Sequence, residues 1–171
     1  MEVKLLKKLF FVPFFLFAIL LTGCSNDPVQ DDLLNYINKE IEVVADLENK
    51  AVSKYESVTG VNYTNDQTLY DALLDEIIPT YQDFLKKLED ISIETDEVKK
   101  IHEKYIDAAN LQYDAFVKIL NALQKQDITI IEEANGMLAD ARKMFRDYQD
   151  DIKKLAKEHE VELKKNKKNA A

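Results

Sequence analysis

Residues 127–155 read DITIIEEANGMLADARKMFRDYQDDIKKL. Within this stretch Ile131, Ala134, Leu138, Ala141, Phe145, Tyr148, Ile152 and Leu155 recur at alternating steps of three and four without a miss. On a helix of 3.6 residues per turn that spacing lines the side chains up on one stripe and leaves the charged residues to the other faces. Asp127, just ahead of the pattern, is a suitable N-cap because its carboxylate can accept from the first free amides. Such a helix gains its stability by burying its stripe, so it demands partners of the same kind.

The partners lie upstream. Thr95 can cap a helix whose first turn carries Asp96 and Glu97, placed well for the positive end of the helix dipole. Val98, Ile101, Tyr105, Ala108, Phe116, Ile119 and Leu123 form its apolar face. A second helix starts near Asp66, and its stripe is Tyr70, Leu74, Ile77, Tyr81, Phe84, Leu88 and Ile91. A first helix runs from about residue 29 to 57 with Leu34, Ile37, Ile41, Val44, Ala51, Tyr55 and Val58 in line, and with Glu48 filling one gap. Short connections make successive helices antiparallel. The expected fold is therefore all-α, an up-down-up-down four-helix bundle over residues 31–163. A three-helix bundle, with the first helix apart or paired with another copy, is the alternative. Strand-rich folds are excluded by the scarcity of turn residues, since Gly60 and Gly136 are the only glycines after residue 23.

Two residues strain the pattern. Pro79 inside the second helix removes the hydrogen bond to the Asp75 carbonyl, which predicts a kink or a break. Gly136 in the last helix costs roughly 1 kcal/mol relative to alanine. Reflection about the preceding turn sets it opposite Phe116, which predicts close packing there.

The chain begins differently. Lys4, Lys7 and Lys8 precede an uncharged apolar run from Leu9 to Leu21. The run fits a secretory h-region of about 7–15 residues and falls short of the roughly 20 needed to span a bilayer. It ends in Leu21-Thr22-Gly23-Cys24, and Cys24 is the sole cysteine. This junction resembles the lipobox of bacterial lipoproteins. The resemblance implies a signal peptide over residues 1–23, cleavage between Gly23 and Cys24, and a diacylglyceryl group on the Cys24 thiol. Residues 24–30 would then be the lipidated N-terminus and a short linker. The implied location is the extracytoplasmic face of the cell membrane, held by lipid. One acyl chain anchors only marginally, while two or three hold stably.

An even number of antiparallel helices returns the C-terminus to the anchored end. Lys164, Lys165, Lys167 and Lys168, in the basic tail 164–171, would lie near the bilayer and touch anionic lipid, at up to about 1 kcal/mol each. The ordinary alternative is a solvated, frayed end. At the far end, residues 57–65 carry no charge. Val61, Asn62 and Tyr63 either form a partner-binding tip, for which tyrosine is well suited, or fold back to cap the core.

The formal net charge is −9, which argues against nucleic acid, whose binding needs clustered basic residues. Neither His102 nor His159 stands in the Glu-x-x-His motif of a di-iron bundle. No Gly-rich phosphate loop or nucleophile elbow is present. The expectation is a protein without enzymatic activity, metal or cofactor: an interaction or accessory protein of the cell envelope with an envelope or secreted protein as partner. The alternative is a small-ligand or metal-binding bundle that uses a groove opened by Pro79 or its carboxylate-rich faces.

Overall fold

The computed structural model describes residues 27–163. Gly23, Cys24 and the tail lysines 164, 165, 167 and 168 lie outside them. The described residues are all-α. Helix α1 covers residues 28–57, α2 residues 66–89, α3 Asp96–Lys125 and α4 Ile128–Glu158. A 3-10 turn, Gly60–Asn62, sits in the first connection. None of these helices is long and apolar enough to cross a membrane.

The helix starts follow from their capping chemistry. Asp27 accepts from the Val29 and Gln30 amides at 3.0 and 3.2 Å, and Pro28 takes the first helical position, where a missing N–H costs nothing. The helix thus begins at Pro28, one residue ahead of the expected start. Asn65, one residue ahead of the expected Asp66, caps α2 through Thr68 N at 2.9 Å. Asp127 caps α4 through Thr129 N at 3.0 Å, as expected. The α3–α4 turn is made by Gln126 in the left-handed region, φ 56°.

α1 and α2 are not uniform. Each contains one π-helical turn, Tyr36–Glu40 in α1 and Leu73–Ile77 in α2. A π turn inserts an extra residue into the helical repeat, so the buried stripe shifts by one position across it. In α1, Leu33 and Tyr36 are fully buried and Leu34 is exposed; beyond the turn, Val44 and Ala51 are buried as expected. In α2, Leu69 and Leu73 are buried and Leu74 is exposed, while Ile77, Tyr81, Phe84 and Leu88 keep the expected stripe. The same turn resolves the strain at Pro79. The helix runs on without a break, and Pro79 sits in the first turn of the α-helical segment that follows, Ile78–Glu89. α3 buries its predicted stripe except for half-buried Leu123, while α4 buries Ala134, Leu138, Ala141 and Leu155 and leaves Ile131, Phe145, Tyr148 and Ile152 half-buried.

Specific pairs set the relative directions. Lys104–Asp151 and Lys118–Glu133 align α3 antiparallel to α4. Tyr81–Gln112 and Tyr70–Gln124 do the same for α2 and α3. Tyr36 meets His102 and Glu48 meets Tyr105, so α1 runs parallel to α3. The core has two parts. The larger joins α1, α2 and α3 around Tyr81, Phe84 and Phe116, with Ala134 and Leu138 of α4 against it. The smaller, at the end where α1 begins and α4 ends, joins Val29, Leu33, Tyr36, Val98, Ile101, Leu155 and Ala156.

The expected packing of Gly136 on Phe116 is not found. Gly136 is exposed, and a Cβ there would meet nothing within 4 Å. Phe116 packs on Tyr55 and Tyr81 instead, with ring centroids 4.8 and 5.4 Å away. A glycine in an exposed helix interior is then simply a loss of helix propensity. Gly136→Ala should raise the unfolding free energy by about 1 kcal/mol in urea denaturation. An unchanged or lower value would show that the position carries a constraint other than the helix.

Candidate functional site

α3 packs on α4 along its length, α1 on α2, and α2 on α3. α1 and α4 do not close on each other in the same way. Their side chains are tied at the basal end, where the Tyr36 and Tyr148 hydroxyls are 3.2 Å apart, Gln30 Nε2 donates to the His159 carbonyl at 2.8 Å, and Asp27 Oδ2 meets His159 Nδ1 at 2.7 Å. The histidine bond is the main reason that the Asp27 carboxyl is held below its usual range. Above this clasp lies a groove of about 550 Å³ between residues 48–56 of α1, with Thr59 just beyond its end, and residues 138–149 of α4, floored by Tyr105 and Gln112 of α3. At a rise of 1.5 Å per residue the groove is roughly 16 Å long.

Its walls are aromatic. Tyr55 comes from α1, Tyr105 from α3, and Phe145 and Tyr148 from α4. The Tyr105 and Tyr148 rings stack at 4.6 Å, and Phe145 stands at 75° to Tyr105 at 5.8 Å. Besides the tyrosine hydroxyls, the polar groups are Asn49, Glu56, Thr59, Gln112, Gln149, Arg142 and Glu48. Glu48 is the unusual member. It occupies an apolar-stripe position, its Oε2 accepts from the Tyr105 hydroxyl at 2.6 Å, and it has no cationic partner among the described residues. Burial pushes its carboxyl above the usual range, while the Tyr105 bond acts in the opposite sense. Burial likewise pushes the Tyr148 phenol up to about 12, so it stays a neutral donor or acceptor. Arg142 lies near Tyr55, whose phenol it acts to lower against the stronger effect of burial.

Behind the groove, Tyr148 continues into a buried polar string. The Tyr36 hydroxyl lies 3.1 Å from His102 Nδ1. His102 is 4 % exposed, and its Nε2 has no hydrogen-bond partner among the described residues. Burial holds His102 below its ordinary pKa, against the pull of the Leu88 carbonyl. The two histidines are thus each engaged separately, His102 with Tyr36 and His159 with Asp27. Among the described residues no three His, Cys, Asp or Glu side chains converge as a metal site requires.

The tip residues stand free of the core. Val61 is fully exposed, and Tyr63 is exposed with its hydroxyl 2.6 Å from Asp66. Asn62 Nδ2 donates to the Glu56 carbonyl at 3.1 Å. Val58 takes the place at the core that the capping reading gave to Val61 and Tyr63. Sequence reasoning missed the groove, because Tyr55, Phe145 and Tyr148 sit on stripes and read as core. The one signal was Glu48, a charge where the stripe calls for an apolar residue. Pro79, on α2, is not among the residues that line the groove.

No protein-family model matches the chain, and no curated protein or solved structure is similar to it.

Proposed function

We propose that this chain is a lipid-anchored, extracytoplasmic binding protein of the bacterial cell envelope, without enzymatic activity, and that it captures a small ligand in the groove between α1 and α4. The body is an up-down-up-down four-helix bundle with one edge left open. The open edge is the observation that carries the reading. Its volume falls in the range of small-molecule sites, roughly 300–1,000 Å³, and it combines apolar walls with a few polar groups. Catalysis would need a nucleophile or an acid–base pair in the groove. Glu48 is held by the Tyr105 phenol, and Glu56 is the groove's other carboxylate; neither is hydrogen-bonded to a nucleophile or to the other, so the reading is one of binding.

Anchorage and binding are tested separately. Cells fed an alkyne-tagged palmitate should label the wild-type protein and not Cys24→Ser; label on the variant overturns the anchor. For binding, NMR of the full chain against a small-molecule library of mixed charge should give hits whose shifts cluster at residues 48–59 and 138–149. A second reading, a protein partner at the tip, is favoured by the complete exposure of Val61. A photo-crosslinker at position 61 that captures one envelope protein in cells, together with an empty library screen, would replace the groove reading by the tip.

A further inference from the structure

We propose that the outer seam between α2 and α3 docks an amphipathic helix of a partner protein, one that carries lysine or arginine along both edges of its apolar face. This surface is separate from the groove between α1 and α4, and the inference stands whether or not the groove holds a ligand.

The seam has two defined ends. At one, Gln124 Nε2 donates to the Tyr70 hydroxyl at 3.1 Å; at the other, Gln82 Nε2 donates to the Tyr113 hydroxyl. Between these pairs, steps of three and four along each helix set Leu74 and Ile78 of α2 beside Val117 and Leu120 of α3. Leu74 is 46 % and Val117 40 % exposed, and Ile78 and Leu120 are half-buried. Leu73 is fully buried, so the core at this level of α2 is filled without Leu74. Single apolar residues on a surface are ordinary, but a contiguous strip of them marks a contact site. From residue 70 to 82 the strip runs about 18 Å, some three helical turns. That length suits an incoming helix that anchors through residues one, two and three turns apart.

Charge identifies the occupant. Along residues 70–82 and 113–124 the one cation is Lys118, and it is taken by Glu133 of α4. Of the carboxylates in these stretches, Glu76 is paired with Lys54 of α1. Asp71, Asp75 and Asp114 are exposed and make no ion pair among the described residues. Each follows a seam residue directly, Asp71 and Asp75 on the α2 side and Asp114 on the α3 side, so both edges of the apolar strip are negative. Such a strip complements an apolar helix face with two positive edges. A second copy of this chain would set carboxylate edge against carboxylate edge, and an anionic lipid surface would meet the same repulsion.

The test places a benzophenone photo-crosslinker at position 117 of the full chain in the intact cells that produce it. Position 43 of α1 is the control, because Val43 is 68 % exposed but lies off the seam. Mass spectrometry of the adduct identifies the captured segment. Position 117 should capture an amphipathic helix with Lys or Arg flanking its apolar face, and position 43 should not. Asp71→Lys, Asp75→Lys and Asp114→Lys together should cut this adduct at least about ten-fold while the thermal unfolding midpoint stays near that of wild type. Leu74→Ser, which leaves the charges in place, provides a second variant and should weaken capture by several-fold. An adduct that survives the charge reversal would overturn the proposal. So would a captured segment that is acidic or not helical, capture of a second copy of this chain, or the absence of any adduct specific to position 117.

Discussion

Phe116→Ala should lower the unfolding free energy by about 3–5 kcal/mol, and Phe145→Ala by only about 1–2 kcal/mol. Both residues are phenylalanines on apolar stripes, and the sequence pattern gives no reason to separate them. The structure does. Phe116 is fully buried where α1, α2 and α3 meet, against Tyr55 and Tyr81. Its removal leaves a cavity that well-packed neighbours cannot fill. Phe145 is half-buried and forms part of the groove wall. Its removal enlarges a space already open to water, so the cavity contribution is largely absent. Urea denaturation of the two variants measures the contrast directly. Equal losses would mean that α1 and α4 close on each other in solution and that the groove is filled by the protein itself. Since marginal stabilities are about 5–15 kcal/mol, the Phe116 variant also sets the scale against which milder substitutions are judged.

The all-α class, the four helical segments and the inward faces of α3 and α4 were legible because each rests on a 3–4 alternation, unbroken in α4 and interrupted once in α1, at Glu48, and once in α3, at Gln112. The first halves of α1 and α2 were misread by one position. Leu34 and Leu74 stand in line when an α-helical repeat is assumed, and a π turn breaks that assumption. A π turn has no strong local sequence signature; it is selected by which register packs best overall. In α2 the favourable register keeps Leu73, Ile77 and Tyr81 buried together, and tertiary packing overrides the local repeat. The groove was illegible for a related reason. Periodicity says which face of a helix avoids water, but not whether two such faces meet. Tyr55, Phe145 and Tyr148 are on the right faces of α1 and α4, yet they line an open groove rather than a closed seam. Only Glu48 marked the spot, since a carboxylate on an apolar stripe requires a local polar purpose.

At the base of the bundle Asp32 pins α1 to the start of α3. Asp32 on α1 is 4 % exposed and binds the loop that starts α3: Oδ2 accepts from Thr95 N at 2.8 Å and from Thr95 Oγ1 at 2.6 Å, and Oδ1 from Glu94 N at 3.4 Å. Thr95 is the N-cap residue of α3, yet its hydroxyl makes no capping bond within its own helix. That hydroxyl is given to Asp32, and a carboxylate from another helix sits at the positive end of α3. Hydrogen bonds to a charged acceptor contribute about 1.5–3 kcal/mol, and removing the acceptor strands the donors. Asp32→Ala should therefore cost about 2–3 kcal/mol, more than most polar substitutions. Asp32→Asn retains one acceptor oxygen and should lose less. Combined with Thr95→Val, the alanine variant should lose clearly less than the sum of the single losses, because the two side chains share one bond. Hydrogen exchange adds a local readout: amides in the first turn of α3 should open earlier in Asp32→Ala than in wild type, while those in the middle of α3 change only as global stability does. A loss under about 0.5 kcal/mol would show that the apolar contacts of Val98 and Ile101 alone hold α1 to α3 at the base. In that case α1 would be free to swing about the upper core, and the groove's width would be set by α1 and its ligand rather than by a pinned base.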